Sequence, residues 1–379
     1  MRAQSGNVLQ RNMGEKVAFP PEFDLLVACC RRPVTAEGDA ELRRRAEGID
    51  WDRFLRIAER QRVDGIAYDS LRRASVPIPP QASEALASAA GRIARSNLFQ
   101  AAEALRLHQR LTAAGVDHLF VKGLTLNALA WGSLALKRAI DIDILVDPET
   151  YEVAIGVMAD AGYRCVYPES EDRAEILRYS LAVKDSGWRG PGGVAVELHR
   201  RLTPNPVLLP TLGVKSPRQD VQIAPGIALP TFAHDELVAY LMVHGGLTAW
   251  SRLKWVADLA ALLARADAAE IDRLHARTAE LAPGRSAAQA LLVCNRLFGT
   301  PLSPALAATL RGDRIARYLE KAALKTMGQG GAATELHEQR LGTARLNLSI
   351  LFLHRGLRFK ATEVRRKLAA LRRAAGARM

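Results

Sequence analysis

Residues Ala139 to Asp147 read AIDIDILVD, in which Ile140, Ile142, Ile144 and Val146 alternate with Asp141, Asp143, Leu145 and Asp147. A period of two is the pattern of a strand with two distinct faces. Asp141 and Asp143 therefore share one face, with about 6 to 7 Å of backbone between them. One Mg²⁺ can bridge that gap, since magnesium takes one or two carboxylates and keeps its other positions for water and phosphate oxygens. Upstream, VDHLFVKG from Val116 predicts a short strand ending at Lys122 and Gly123, and LTLNALAWG predicts a helix stopped by Gly132. Downstream, Pro148 to Gly162 reads as helix and Tyr163 to Tyr167 as strand, while Ser180 to Lys184 is expected to pair with Val194 to His199 across the loop GWRGPGG. In VAVELH the alternation puts Glu197 and His199 on one face, which makes Glu197 a candidate third carboxylate. Three converging acids can hold two metal ions and activate a hydroxyl toward phosphorus. A strand edge with a solvated acidic face is the plainer reading of the same residues.

Outward from this core the pattern is helical. Trp51, Phe54, Leu55, Ala58 and Val63 recur at helical spacing, Pro77, Pro79 and Pro80 interrupt, and a long apolar-marked segment runs from Leu86 to Leu111 before Gly115. Beyond Pro204 there are several prolines and little periodicity up to Pro230, after which Thr231 is a suitable helix N-cap and helices continue to Arg373. The expected architecture is α+β, a small mixed sheet flanked by helical regions. Its divisions are an N-terminal helical region at 1–115, the α/β core at 116–204, a linker at 205–230 and a helical domain with a basic tail at 231–379.

With 379 residues, 49% hydrophobic and 25% charged, the chain can bury a sizeable core and is not a disordered or coiled-coil sequence. Four cysteines without a C-x-x-C motif suggest neither a zinc cage nor a disulfide framework. The opening MRAQSGNVLQRNMG has no apolar stretch of signal-peptide type and no run is long enough to span a bilayer, so an unprocessed, soluble, cytoplasmic protein is expected. The net charge of +13 favours anionic partners. Most of that excess lies in Arg355 to Arg378, where nine Lys and Arg face Glu363 alone. This tail is either a solvated basic helix or a docking element for a polyanion, an acidic protein or a membrane surface. Leu357, Val364, Leu368 and Leu371 recur at helical spacing and could instead dock it onto the protein.

Lys122 and Gly123 sit at a strand-to-helix turn, where free backbone N–H groups could receive a phosphate and the ammonium add charge, although a simple turn has the same sequence. Arg138 could neutralise a triphosphate or pair with an acid at the strand entrance. His199 could orient Glu197 or touch a phosphate. His244 lies in an apolar helix and reads as a core residue, Lys254 and Asp258 are spaced to pair with each other, and Trp250 and Trp255 read as packing or as a base-stacking surface.

Lys122-Gly123, Arg138, the run Asp141 to Val146, Gly162-Tyr163 and Glu197-Leu198-His199 together resemble the nucleotidyltransferase superfamily that includes DNA polymerase β. Within it they are most similar to a bacterial group of nucleotidyltransferase family proteins. His244 and RLKWVADLAALL with Asp258 resemble that group's helical half, so the likeness runs from about Val116 to Leu263. It implies an αβαβ core in which Asp141, Asp143 and Glu197 hold Mg²⁺, as a two-metal site, while Lys122, Gly123 and Arg138 bind the NTP. The reaction it implies moves NMP from ATP or another NTP to an unidentified hydroxyl or phosphate acceptor: a small molecule, a sugar or a peptide natural product. Transfer to tRNA or protein, or a noncatalytic nucleotide-binding scaffold, are the alternatives. In one departure from the family pattern, Leu124 follows Gly123 where a second small residue is usual. Lys122 is the expected substitute.

Overall fold

The computed structural model describes residues 17–328 and 342–376. The opening segment read above as unprocessed lies outside them, as do the side chains of Leu371, Arg372, Arg373 and Arg378. Four short helices, α1 (Pro21–Cys29), α2 (Ala36–Arg45), α3 (Trp51–Gln61) and α4 (Asp64–Arg73), lead into the long α5 (Pro80–Ala113). Pro80 starts α5 at a position whose N–H would be unpaired anyway, and Gly115 closes it at φ +69°.

The core follows as β1 (His118–Phe120), α6 (Leu124–Trp131), β2 (Ile142–Val146), α7 (Tyr151–Asp160), β3 (Arg164–Tyr167), α8 (Arg173–Ala182), β4 (Asp185–Arg189) and β5 (Ala195–His199). The sheet order is β1-β2-β5-β4-β3. β2 and β5 are parallel, whereas β1 with β2, β4 with β5 and β3 with β4 are antiparallel. The hairpin expected from Ser180 starts later, because Ser180 to Ala182 complete α8 and the strand begins at Asp185. Ile176 and Ser180 are buried at helical spacing, and that packing outweighs the strand pattern.

The segment 205–230 is not a plain linker. β6 (Arg218–Ala224) and β7 (Ile227–Phe232) form an antiparallel hairpin closed by Pro225-Gly226, with Gly226 at φ +72°. Val221, Ile223 and Leu229 are buried in alternation with polar Asp220 and Gln222, a strand signal masked by the surrounding prolines. Thr231 lies inside β7, so the next helix starts at His234, with Ala233 at the N-cap position and no side-chain cap. The remaining helices are α9 (His234–Leu247), α10 (Leu253–Leu262), α11 (Ala268–Leu281), α12 (Ser286–Phe298), α13 (Pro304–Gly312), α14 (Arg314–Gly328), α15 (Gly342–Phe352) and α16 (Leu357–Gly376).

One sheet face supplies Ile142, Ile144, Val196 and Leu198 to a core completed by Leu107 and Leu111 of α5 and Tyr151, Ile155 and Met158 of α7. Leu145 enters the other core, where Phe23 and Phe54 from the N-terminal helices meet Val238, Met242, Val256 and Leu291 from the C-terminal ones. The two helical regions read from sequence as separate thus share one interior. In α16 the docking residues are Phe359 and Glu363, at 0% and 1% exposure, while Leu357, Val364 and Leu368 face outward. The apolar spacing was legible in the sequence, but the face that docks is the opposite one.

Candidate active site

β2 and β5 run side by side in register, with Asp143 opposite Glu197 and Leu145 opposite His199. Partners across a ladder point to the same face, so the acid of one strand and the Glu and His of the other meet on the side away from the α5–α7 core. Ligand atoms of Asp143, Glu197 and His199 all lie within 4.8 Å of one another. His199 Nε2 is 2.8 Å from Asp143 Oδ1 and 3.3 Å from Glu197 Oε2, and the ring is buried. Burial and Lys184 oppose its protonation, but hydrogen bonds to Asp143 and Glu197 prevail and hold its pKa above the usual histidine value.

Lys122 Nζ donates to Asp143 Oδ1 at 2.8 Å. Burial alone would push the Asp143 carboxyl up, yet Lys122 and His199 beside it hold it far below the ordinary range. Burial likewise opposes the Lys122 ammonium, and Asp143 raises its pKa well above normal. Glu197 is depressed to about 2, chiefly by its hydrogen bond to His199. Asp141 stands one residue before β2, outside the close group of ligand atoms, and is raised to about 6 by burial and by Asp143. Asp143 Oδ2 is buried with no hydrogen-bond partner among the described residues. A buried carboxylate oxygen left open beside a second carboxylate and an imidazole is what a divalent cation would satisfy. The donor set fits such an ion.

Gly123 precedes α6 at φ +64°, ψ −114°, and a Cβ there would stand 3.4 Å from Asp141 O. The turn brings the uncapped N-terminus of α6 against the start of the acid strand. Opposite the acids stand α9 and α10. Tyr240 and His244, one turn apart on α9, have ring centroids 5.8 Å apart, and His244 is 5.9 Å from Trp255. Burial, together with the nearby Lys122, lowers the His244 pKa well below normal. Lys254 lies over the Trp255 ring at 5.4 Å and is lowered to about 7, first by burial and then by Lys137 and Arg62.

Arg138 turns to Asp64 of α4 at 3.5 Å, so of its two readings the structure shows the ion pair. Asp258 pairs not with Lys254 but with Lys137 at 2.5 Å, and it accepts from Trp131 Nε1 at 2.8 Å. Trp250 is fully buried packing. Sequence reading missed Tyr240, whose signal was its place one helical turn before His244. It also missed Lys184 and Asp185, which flank His199 Nδ1 at 3.4 and 3.5 Å and whose strand began later than expected.

The sequence profile of a family described as "Uncharacterised nucleotidyltransferase" matches residues 47–299, more than half of the chain. The chain belongs to this family. The match takes in α3 to α5, the whole sheet and α9 to α12, so part of each helical region that shares the interior lies within the family's extent, while α1, α2 and α13 to α16 lie outside it. No curated protein matches the sequence. Among the described residues, no helix is long and apolar enough to cross a membrane.

Proposed function

We propose that this protein is a Mg²⁺-dependent enzyme that transfers NMP from an NTP to a hydroxyl or phosphate acceptor. The observation that carries the reading is the in-register pairing of Asp143 with Glu197 across parallel β2 and β5, with one Asp143 oxygen left open. Asp141, Asp143 and Glu197 would hold the metal, and His199 fixes the last two in place through Nε2. When bound, the cation neutralises the triphosphate and lowers the pKa of the attacking hydroxyl. Glu197, with its pKa depressed to about 2, is ionised throughout the physiological range and serves as a ligand without a pH requirement.

The N-terminus of α6 presents backbone N–H groups and the positive end of its dipole to the phosphates, with Gly123 allowing close approach. Lys122 neutralises Asp143 in the metal-free protein and would be free to meet the phosphates once a metal takes its place on that carboxylate. The acceptor's side is the open end of the same sheet face. Gly187 pairs with Glu197 and Tyr167 pairs with Gly187, which places an exposed aromatic ring two strands, about 10 Å, beyond the acid. The missing side chain at Gly187 makes room for Tyr167, whose Cβ a side chain at Gly187 would meet at 3.1 Å.

The test is incubation of the protein with labelled NTPs, Mg²⁺ and a cell extract, followed by identification of what acquires the label. Pyrophosphate release with label transfer, lost in Asp143→Asn, supports the reading. NTP binding with no release under any condition would reject an enzyme in favour of a nucleotide-binding scaffold. Tyr167→Ala should raise the acceptor's KM and leave that of the NTP unchanged.

A further inference from the structure

Helix α16 is apolar on two opposite sides. At about 100° per residue, Leu357, Ala361, Val364 and Leu368 fall within an arc of about 60°. Phe359 and Glu363, which seat the helix on the protein, fall on the far side. The outward stripe is open to solvent: Leu357 is 80% exposed, Val364 45% and Leu368 51%. An outward helix face is ordinarily polar. Here the polar residues border the stripe, with Arg358 and Arg365 on one flank and Lys360 and Lys367 on the other. Arg358 and Arg365 have no ion-pair partner among the described residues. The helix's acid, Glu363, is buried and bound by Arg366 and Lys367, so Lys367 is offset while Arg358, Lys360 and Arg365 carry the positive charge of the flanks.

We propose that this face of α16 binds the surface of an anionic lipid bilayer, with Leu357, Val364 and Leu368 entering the acyl boundary and the flanking Arg and Lys meeting lipid phosphates. A lone convex ridge with cations along both borders matches a lipid interface, where long basic side chains reach back to the headgroups while apolar ones descend. An acidic protein groove would need a shaped counterpart. A nucleic acid would have no use for the leucines. The attachment lies in the interface plane, consistent with the absence of any spanning helix among the described residues. It would hold the protein at a membrane without engaging residues of the acid cluster.

The experiment is cosedimentation of the full chain with phosphatidylcholine vesicles, with and without phosphatidylglycerol, over a range of salt concentrations. Binding to the phosphatidylglycerol vesicles at low salt is expected, with little to the neutral ones. Arg358→Gln with Arg365→Gln should weaken it about thirty-fold, taking about 1 kcal/mol for each basic residue near an anionic surface. Leu357→Asp with Leu368→Asp should abolish it while leaving the melting temperature and NTP binding unchanged, because both side chains are already in solvent. Absence of binding to anionic vesicles at low salt overturns the proposal. So does undiminished binding by the Asp pair, which would mark the helix as a charge-only polyanion site. A wild-type dimer that the Asp pair dissociates would assign the stripe to a second copy of the chain and equally overturn it.

Discussion

Asp143→Asn and Asp141→Asn should move the stability of the metal-free protein in opposite directions, although each removes one negative charge from one site. The Asp143 side chain is 1% exposed and accepts from Lys122 and from His199, each at 2.8 Å. Removing one partner of a buried ion pair costs roughly 3–5 kcal/mol because the other charge is left uncompensated. Lys122 keeps 19% of its side chain in solvent, and an amide oxygen still accepts from His199. A loss of about 3 kcal/mol, the low end of that range, is therefore expected. Asp141 is the reverse case: burial and the Asp143 charge raise its pKa from 3.8 to about 6. A carboxyl whose pKa is raised on folding binds more protons folded than unfolded between those two values, so its charge costs stability once the pH passes both. At about 1.4 kcal/mol per unit, that cost is about 3 kcal/mol at pH 7, and a neutral amide removes most of it. Asp141→Asn should thus gain about 1–3 kcal/mol at pH 7. The gain should fade as the pH falls from 6 toward 3.8 and the native carboxyl protonates. Urea unfolding of both variants in EDTA measures the two changes. A shift of the same sign in both variants, or a gain in Asp143→Asn, would refute the assigned charge pattern.

Divalent metal affinity, measured by calorimetry with Mn²⁺ or Mg²⁺, should fall as the pH drops from about 7 through the Asp141 pKa of about 6, because the protonated carboxyl cannot ligate. A flat profile down to pH 4.5 would exclude Asp141 from the metal site. Gly123→Ala forces a side chain into φ +64°, 3.4 Å from Asp141 O, and should cost about 1–3 kcal/mol and raise the KM for NTP; unchanged values of both would show that the turn is tolerant. Asp258→Ala leaves Lys137 buried and unpaired and should cost about 3–5 kcal/mol in urea unfolding, much of it restored when Lys137→Met is added. A double variant no better than the single would mean that packing rather than charge is lost.

The placement of Asp143 and Glu197 on one sheet face and the turn at Gly123 were legible because strand alternation and a positive-φ glycine are local properties of sequence, whereas Asp141, read on the same strand, stands one residue before β2 and outside the close group of ligand atoms. Whether β2 and β5 are neighbours is a question of topology, and the resemblance supplied that part. The fate of Lys122 was not legible: it looked like a phosphate ligand beside a turn, and only the tertiary structure shows that it pairs with Asp143. Asp258 was read against its helical neighbour Lys254, whereas its partner Lys137 is distant in sequence. The hairpin at Arg218 to Phe232 was hidden by prolines that flank it and one, Pro230, that it tolerates within β7. For α16, periodicity found the stripe, but a helix with two apolar sides gives no internal clue as to which one is covered.

The shared interior has a consequence for synthesis. Phe23 and Phe359 belong to the same buried cluster, as do residues from most helices between them. A nascent chain leaving the ribosome therefore carries the partly closed surface of α1 to α5 through translation of the sheet and much of the C-terminal half before that surface meets its counterpart. Until then it presents leucine and phenylalanine to solvent, the condition that recruits holding chaperones. Excising the sheet region alone would make that transient state permanent, leaving Leu119, Val121 and Leu145 bare on one side. The folding unit of this chain is thus coextensive with nearly all of its described length.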